Sequence, residues 1–191
     1  MRKLGPETSR SHYARIYSQF YDLYMNGQGL DIGYKGEIPD AQPVTANAIG
    51  IEKDTPNYDG KTLPYPDNSL DFVFSSHCLE HISEPIPTVQ EWFRVIKPYG
   101  YLITIVPHQY LYEKSTGLPS KWNADHKRFY TPSKLLQNIE LALQPNSYRV
   151  KHLRDNDTFY NYEIGPETHC AGACEIELVI QKIIQPDWEI K

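Results

Sequence analysis

Apolar and polar positions follow three different periods along the chain. From residue 11 to residue 25, Tyr13, Ile16, Tyr17, Phe20, Leu23 and Tyr24 recur every three or four positions, Ser11 can cap the run and Asn26-Gly27 can close it. One amphipathic helix is predicted there. Four short apolar runs, at 30–33, 48–52, 70–75 and 101–106, are each bounded by Gly, Pro or Asp, the pattern of strands buried on both faces of a parallel sheet. Between the last two, Val89, Trp92, Phe93, Val95 and Ile96 have helical spacing and Lys97-Pro98-Tyr99-Gly100 supplies a stop, which makes a βαβ unit. A further helix is predicted over about 132–143, capped by Thr131, with Pro132 in its first turn and Leu135, Leu136, Ile139 and Leu143 on one face. Residues 148–153 and 175–183 alternate as a closing hairpin. The expected fold class is α/β, a Rossmann-like and mainly parallel sheet with a terminal antiparallel strand.

Two connections are short for such a fold. Residues 37–47 contain Pro39 and Pro43, which leaves a loop with at most one helical turn. Residues 53–69, with Pro56, Gly60, Pro64 and Pro66, leave room for neither helix nor strand. The sheet is expected to be trimmed by about one edge strand and its helices, and an edge so exposed calls for a cover. A homodimer burying part of 53–69 is expected.

The length of 191 residues, with 40% apolar and 23% charged side chains, suits one core and a single domain over 1–191. No run of eighteen apolar residues exists, and Met1-Arg2-Lys3-Leu4 opens no apolar signal segment, so a membrane role is excluded and a cytoplasmic location expected. A net charge of -5 argues against nucleic acid as a partner. Cys78, Cys170 and Cys174 imply no disulfide framework, and a buried thiol is the default for at least one of the last two. His169-Cys170 with Cys174 lacks a fourth ligand, so no metal ligands are expected.

Candidate chemistry begins at Asp31-Ile32-Gly33-Tyr34-Lys35-Gly36, where an acid and two glycines end a predicted strand in a turn whose backbone can approach a ligand. Nineteen residues beyond Gly33, Glu52 ends the next strand, where a carboxylate can accept both hydroxyls of a ribose. A tight turn beside a surface acid is the bland alternative.

With the stretches Gly29-Leu30-Asp31-Ile32-Gly33, Ile49-Gly50-Ile51-Glu52, the run from Leu63 to Phe74, Ser76-His77-Cys78-Leu79-Glu80-His81-Ile82 and the run from Arg94 to Leu102 in that order, the chain resembles the class I S-adenosylmethionine-dependent methyltransferases of the small-molecule branch called type 11. The resemblance covers roughly residues 27–108. It implies S-adenosylmethionine as cofactor, with Asp31, Gly33 and Gly36 at its methionine end, Glu52 on the ribose, Asp59 and Leu63 flanking the adenine, and Ser75, Ser76 and His77 closing the cleft. Lys35 stands where the family's turn usually has a third glycine.

His77-Cys78-Leu79-Glu80-His81 also fits the H-x-x-E-H pattern of zinc peptidases, yet Ser83-Glu84-Pro85-Ile86-Pro87 ends any helix within two residues of His81. The 23 residues at 109–131, with Trp122, Asp125, His126 and Arg128, leave the carboxyl end of the fourth strand, and the turn at 154–174 is expected on the same side. Around the cofactor core at 27–108 and the N-terminal helix at 1–26, these two loops are the expected acceptor side. Their tyrosines suit a small polyhydroxylated or sugar-containing acceptor, free or in a glycan. O-methylation is the expected reaction, with His108 or His126 as base and Asp125 as orienting partner of the imidazole. An Asp125–Arg128 pair that merely pins the loop is the bland alternative. Two other classes stay open: a binding or scaffold protein that kept the fold and lost the cofactor, and a zinc hydrolase using His77, Glu80 and His81.

Overall fold

The computed structural model describes residues 2–188. Six strands form one sheet in the order β2-β1-β3-β4-β6-β5: β1 (Gly29–Ile32), β2 (Ala48–Ile51), β3 (Leu70–Ser76), β4 (Ile96–Pro107), β5 (Tyr148–Asn156) and β6 (Glu175–Lys182). Strands β1 to β4 are parallel, and β6 runs antiparallel to both β4 and β5. Both faces are covered, which is why the strands read as unbroken apolar runs. On one face Leu30, Val73, Leu102, Val106, Leu178 and Ile180 pack against α3 (Pro85–Val95) and α4 (Pro132–Ala142). On the other, Phe72, Phe74, Ile103, Ile105 and Val179 meet Phe20, Tyr21 and Met25. Each fully buried side chain of this size contributes roughly 1.5–3 kcal/mol. The expected trimming holds: 33–47 and 52–69 contain no helix or strand. Among the described residues no helix is long and apolar enough to cross a membrane.

The N-terminal helix departs from expectation. It is two helices, α1 (Pro6–Tyr17) and α2 (Phe20–Tyr24), separated at Gln19, whose φ is 58°. Pro6 fits the first turn, where no N–H is needed, so α1 starts five residues before the expected cap. Ser11 lies mid-helix instead and bonds Glu175. Near the break the Ser18 hydroxyl donates to Arg15 O at 3.2 Å. The apolar positions Tyr13, Ile16 and Tyr17 face outward, and the buried side of α1 is polar: Thr8, Ser11 and Arg15. A smaller departure is that α3 passes directly into β4 at Ile96; within β4, Gly100 lies against the Asp71 carbonyl, where a Cβ would stand 2.4 Å from the oxygen.

Candidate active site

The sheet order places β1 between β2 and β3; the connection from β1 turns toward β2 and the one from β3 toward β4, so the chain leaves these two adjacent carboxyl ends in opposite directions and opens a crevice there. Two loops border it. The turn after β1 holds Gly33 at φ 75°, and a Cβ at that position would lie 2.8 Å from Cys78 Sγ; the loop after β3 therefore packs directly on the glycine turn. Asp31, at the end of β1, is buried and accepts from Val44 N at 2.7 Å. Burial raises its pKa to about 7, against the pull of the Val44 bond. Glu52 follows β2, and its carboxylate accepts from Lys35 N at 2.6 Å; partial burial pushes its pKa up. Ser75 and Ser76 end β3 and are buried, and Ser76 Oγ has no partner among the described residues. Gly36 faces Pro6 at the start of α1.

This part of the crevice matches an adenosyl ligand in its donor set: a close-approach glycine, two strand-end carboxylates and an unsatisfied hydroxyl. The adenine side does not match the expectation. Asp59 closes its own turn by accepting from Lys61 N and Thr62 N at 2.8 and 2.6 Å, which lowers its pKa. The Leu63 side chain lies in the core, 2% exposed, because its backbone is drawn to Glu91 and Arg94.

His77 does not close the cleft freely either. It adopts φ 52°, and its Nε2 lies 3.0 Å from Glu175 Oε2. Burial disfavours its charged form, but the Glu175 bond and the charge of Glu80 outweigh that and raise its pKa. Glu175 belongs to a buried network: Arg15 Nη2 to Glu175 Oε1 at 2.6 Å, Arg15 Nε to Glu177 Oε1 at 2.9 Å, and His152 Nε2 to Glu177 Oε2 at 3.1 Å. Burial alone would raise the Glu175 pKa, yet Arg15 and His77 bring it to about 2. The network fastens α1 to the end of β6 that adjoins Pro107.

The two expected acceptor loops meet. Tyr112 and Trp122 contact His169 with ring centroids 4.9 and 5.0 Å apart, and Lys114 Nζ donates to Gly165 O at 3.1 Å. An open groove of about 360 Å³ runs between them, lined by Tyr110, Lys114, Tyr160, Tyr162, Ile164 and Pro166. Cys170 and Cys174 are joined as a disulfide, which replaces the free-thiol expectation; proximity within one tight turn decides it.

The expected base residues divide. His108 caps the turn over Gln109–Glu113, its Nδ1 accepting from Tyr110 N and Leu111 N at 3.0 and 3.2 Å, while its Nε2 lies 3.2 Å from Asp155 Oδ1. Both ring nitrogens are engaged, and burial lowers its pKa. His126 is buried, and its Nδ1 bonds Glu113, whose other oxygen accepts from Ser120 Oγ. Asp125 does not orient His126. It bonds His81 Nδ1 at 3.2 Å and Lys127 Nζ at 3.0 Å. Arg128 does pin its loop, but to the carbonyls of Ile82 and Ser83 at 2.8 Å rather than to Asp125.

The H-x-x-E-H segment forms no sustained helix; Leu79–His81 is a single 3-10 turn. Glu80 is nevertheless central. Its carboxylate is fully buried, has no hydrogen-bond partner among the described residues and has a raised pKa through burial. His77 Nδ1, His81 Nε2 and His126 Nε2 stand 3.8, 3.7 and 3.9 Å from its Oε1. Sequence spacing missed Glu113 as the partner of His126, since only the turn after β4 brings them together.

Residues 43–104 match the methyltransferase-domain family, type 11. Eighty residues are 31% identical to a probable S-adenosylmethionine-dependent methyltransferase of Mycolicibacterium smegmatis, covering 42% of this chain and 30% of that protein. The match thus spans less than a third of that relative's length. Similar solved structures include an S-adenosylmethionine-dependent methyltransferase from Aquifex aeolicus, with TM-score 0.55 and 18% identity over 93% of this chain and 94% of that one. Another, from Archaeoglobus fulgidus, has TM-score 0.55 and 13% identity over 91% of this chain and 94% of that one. At these identities the likeness is one of fold. The resemblance to class I methyltransferases holds in the fold and across 43–104.

Proposed function

We propose that the chain is an S-adenosylmethionine-dependent methyltransferase that methylates an oxygen of a small polyhydroxylated molecule or glycan. The observation that supports this most is the meeting of the left-handed Gly33 turn, the Asp31 and Glu52 carboxylates and the unpartnered Ser76 hydroxyl at one switch point. Bound there, S-adenosylmethionine supplies a methyl group activated on a sulfonium. Asp31, Gly33 and Gly36 would hold its methionine end, and Glu52 would exchange the Lys35 N–H for ribose hydroxyls. The groove between the acceptor loops offers tyrosine faces for a sugar ring and Lys114 for its polar groups. In-line transfer needs the acceptor oxygen aligned and its proton removed. His126 suits proton removal better than His108, because its Nε2 makes no hydrogen bond, although Glu80 and His81 stand close by, whereas both ring nitrogens of His108 are engaged. The reading includes a single domain over 1–191, a cytoplasmic location and a homodimer.

Titration calorimetry with S-adenosylhomocysteine tests it. Replacing Glu52 with Ala should weaken binding by about 1–3 kcal/mol, roughly 5- to 150-fold. The scaffold reading is favoured by one observation, the Lys35 N–H already seated on Glu52. A folded wild-type chain that leaves the nucleoside unbound at millimolar concentration would establish that reading instead.

A further inference from the structure

We propose that Glu80, His81 and His126 form a divalent-cation site of the zinc class, with an open position for an oxygen ligand. Their three donor atoms lie within 4.8 Å of one another. Two imidazole nitrogens and one carboxylate oxygen are the donor set that borderline cations such as Zn2+ prefer, and three protein ligands leave a fourth position open. Ligands bound tetrahedrally at about 2.0–2.1 Å stand roughly 3.4 Å apart, so the 3.7 and 3.9 Å separations of the two imidazoles from Glu80 need to close by a few tenths of an ångström, and no pair of the three donors, all within 4.8 Å of one another, by more than about 1.4 Å.

The surroundings of the histidines carry the inference beyond proximity. A carboxylate only accepts hydrogen bonds, so Asp125 on His81 Nδ1 and Glu113 on His126 Nδ1 each hold the proton on that nitrogen. Both Nε2 lone pairs are thereby directed to Glu80. A carboxylate on the far nitrogen of a ligand histidine is the usual support of such sites. Glu113 is itself fixed by Ser120. The backbone holds the parts together, since Lys127 N donates to Glu80 O at 2.8 Å. Without a cation, Glu80 is a buried carboxylate with no hydrogen bond among the described residues, an arrangement that destabilises the fold unless a positive group pairs with it. The cluster reaches solvent through His81, whose side chain is 25% exposed against 0% for Glu80 and 2% for His126. The open position would take water, or an acceptor hydroxyl whose proton the ion makes easier to remove.

The proposal does not rest on cofactor binding. A His126 whose Nε2 holds a cation cannot also be the base proposed above, and loss of either role lowers turnover, so metal binding is read directly. Chelator-stripped protein is titrated with Co2+, followed by visible absorption, and then with Zn2+. The expected result is one Co2+ per chain, with the bands of a four- or five-coordinate site, displaced by Zn2+. Glu80→Gln and His81→Asn should abolish the bands, and Glu113→Gln and Asp125→Asn should weaken binding about 10- to 100-fold. His81 lies at the surface, so His81→Asn keeps the test usable if a buried variant fails to fold; a melting curve checks this. A folded wild-type chain without such bands, or bands unchanged by His81→Asn, overturns the proposal. Titrating the same samples with S-adenosylhomocysteine separates the two readings: metal uptake without nucleoside binding supports this site and defeats the methyltransferase.

Discussion

Asp31 shows how a buried acid can cost stability. Its ordinary pKa of 3.8 rises to about 7 in the folded chain, chiefly because burial disfavours the charge. Between those values the unfolded chain has lost the proton while the native chain keeps it, so the unfolded state binds fewer protons and stability falls as pH rises. Asn at this position keeps an acceptor for Val44 N–H and carries no charge. Asp31→Asn is therefore expected to melt a few degrees above the wild type at pH 8 and near it at pH 4. Parallel melting curves across that range would show that the carboxylate ionises without penalty. The Asp31 and Glu52 spacing was legible because both acids end strands, where chain order alone fixes their neighbourhood. The partner of His126 was not. Asp125 adjoins it in sequence, but the loop turns that carboxylate to His81, and Glu113 arrives from the far side of a turn whose cap, His108, resembled a base only by its position after β4.

Elements were legible where burial is apolar. Strands β1, β3 and β4 announce themselves as short apolar runs because both sheet faces are covered, and α3 and α4 because their stripes meet the core. Helix α1 reverses that logic. Its apolar face points outward and its buried face is held by charges on β6, about 160 residues away, a pairing that periodicity cannot register. The element-scale prediction follows from this. Arg15 is 2% exposed and neutralises both Glu175 and Glu177; truncating it leaves two buried acids uncompensated. Arg15→Ala should destabilise the fold by about 3–5 kcal/mol, read by urea unfolding, and Arg15→Met much less than that if packing rather than charge dominates. Acid should act on the same contact. The folded pKa of Glu175 is depressed from 4.5 to about 2, so its stabilisation is complete above 4.5 and is lost as pH falls toward 2.

At the scale of the molecule, the trimmed sheet has two edges of unlike character. Strand β5 closes one side with Arg149, Lys151 and Arg154, and charged side chains on an edge oppose pairing with another chain. Strand β2 closes the other with Ala48, Ile49, Gly50 and Ile51, none of them charged, and Ile49 is 38% exposed. The segment that could shield it, 53–69, is spent elsewhere: Tyr58 and Tyr65 pack on the core and Leu63 is drawn into it. An uncharged edge beside a docked aromatic segment suits a second copy of the same chain, placed about a two-fold axis so that each copy covers the other's β2 side. Light scattering on the wild type at high concentration should therefore give twice the mass of one chain. Ile49→Lys puts a charge on the pairing edge without touching the crevice residues and should give one chain's mass, with an unchanged melting profile at low concentration. A wild type that stays monomeric refutes the dimer, whereas a dimer that survives Ile49→Lys moves the interface away from β2, leaving this edge protected only by its shortness.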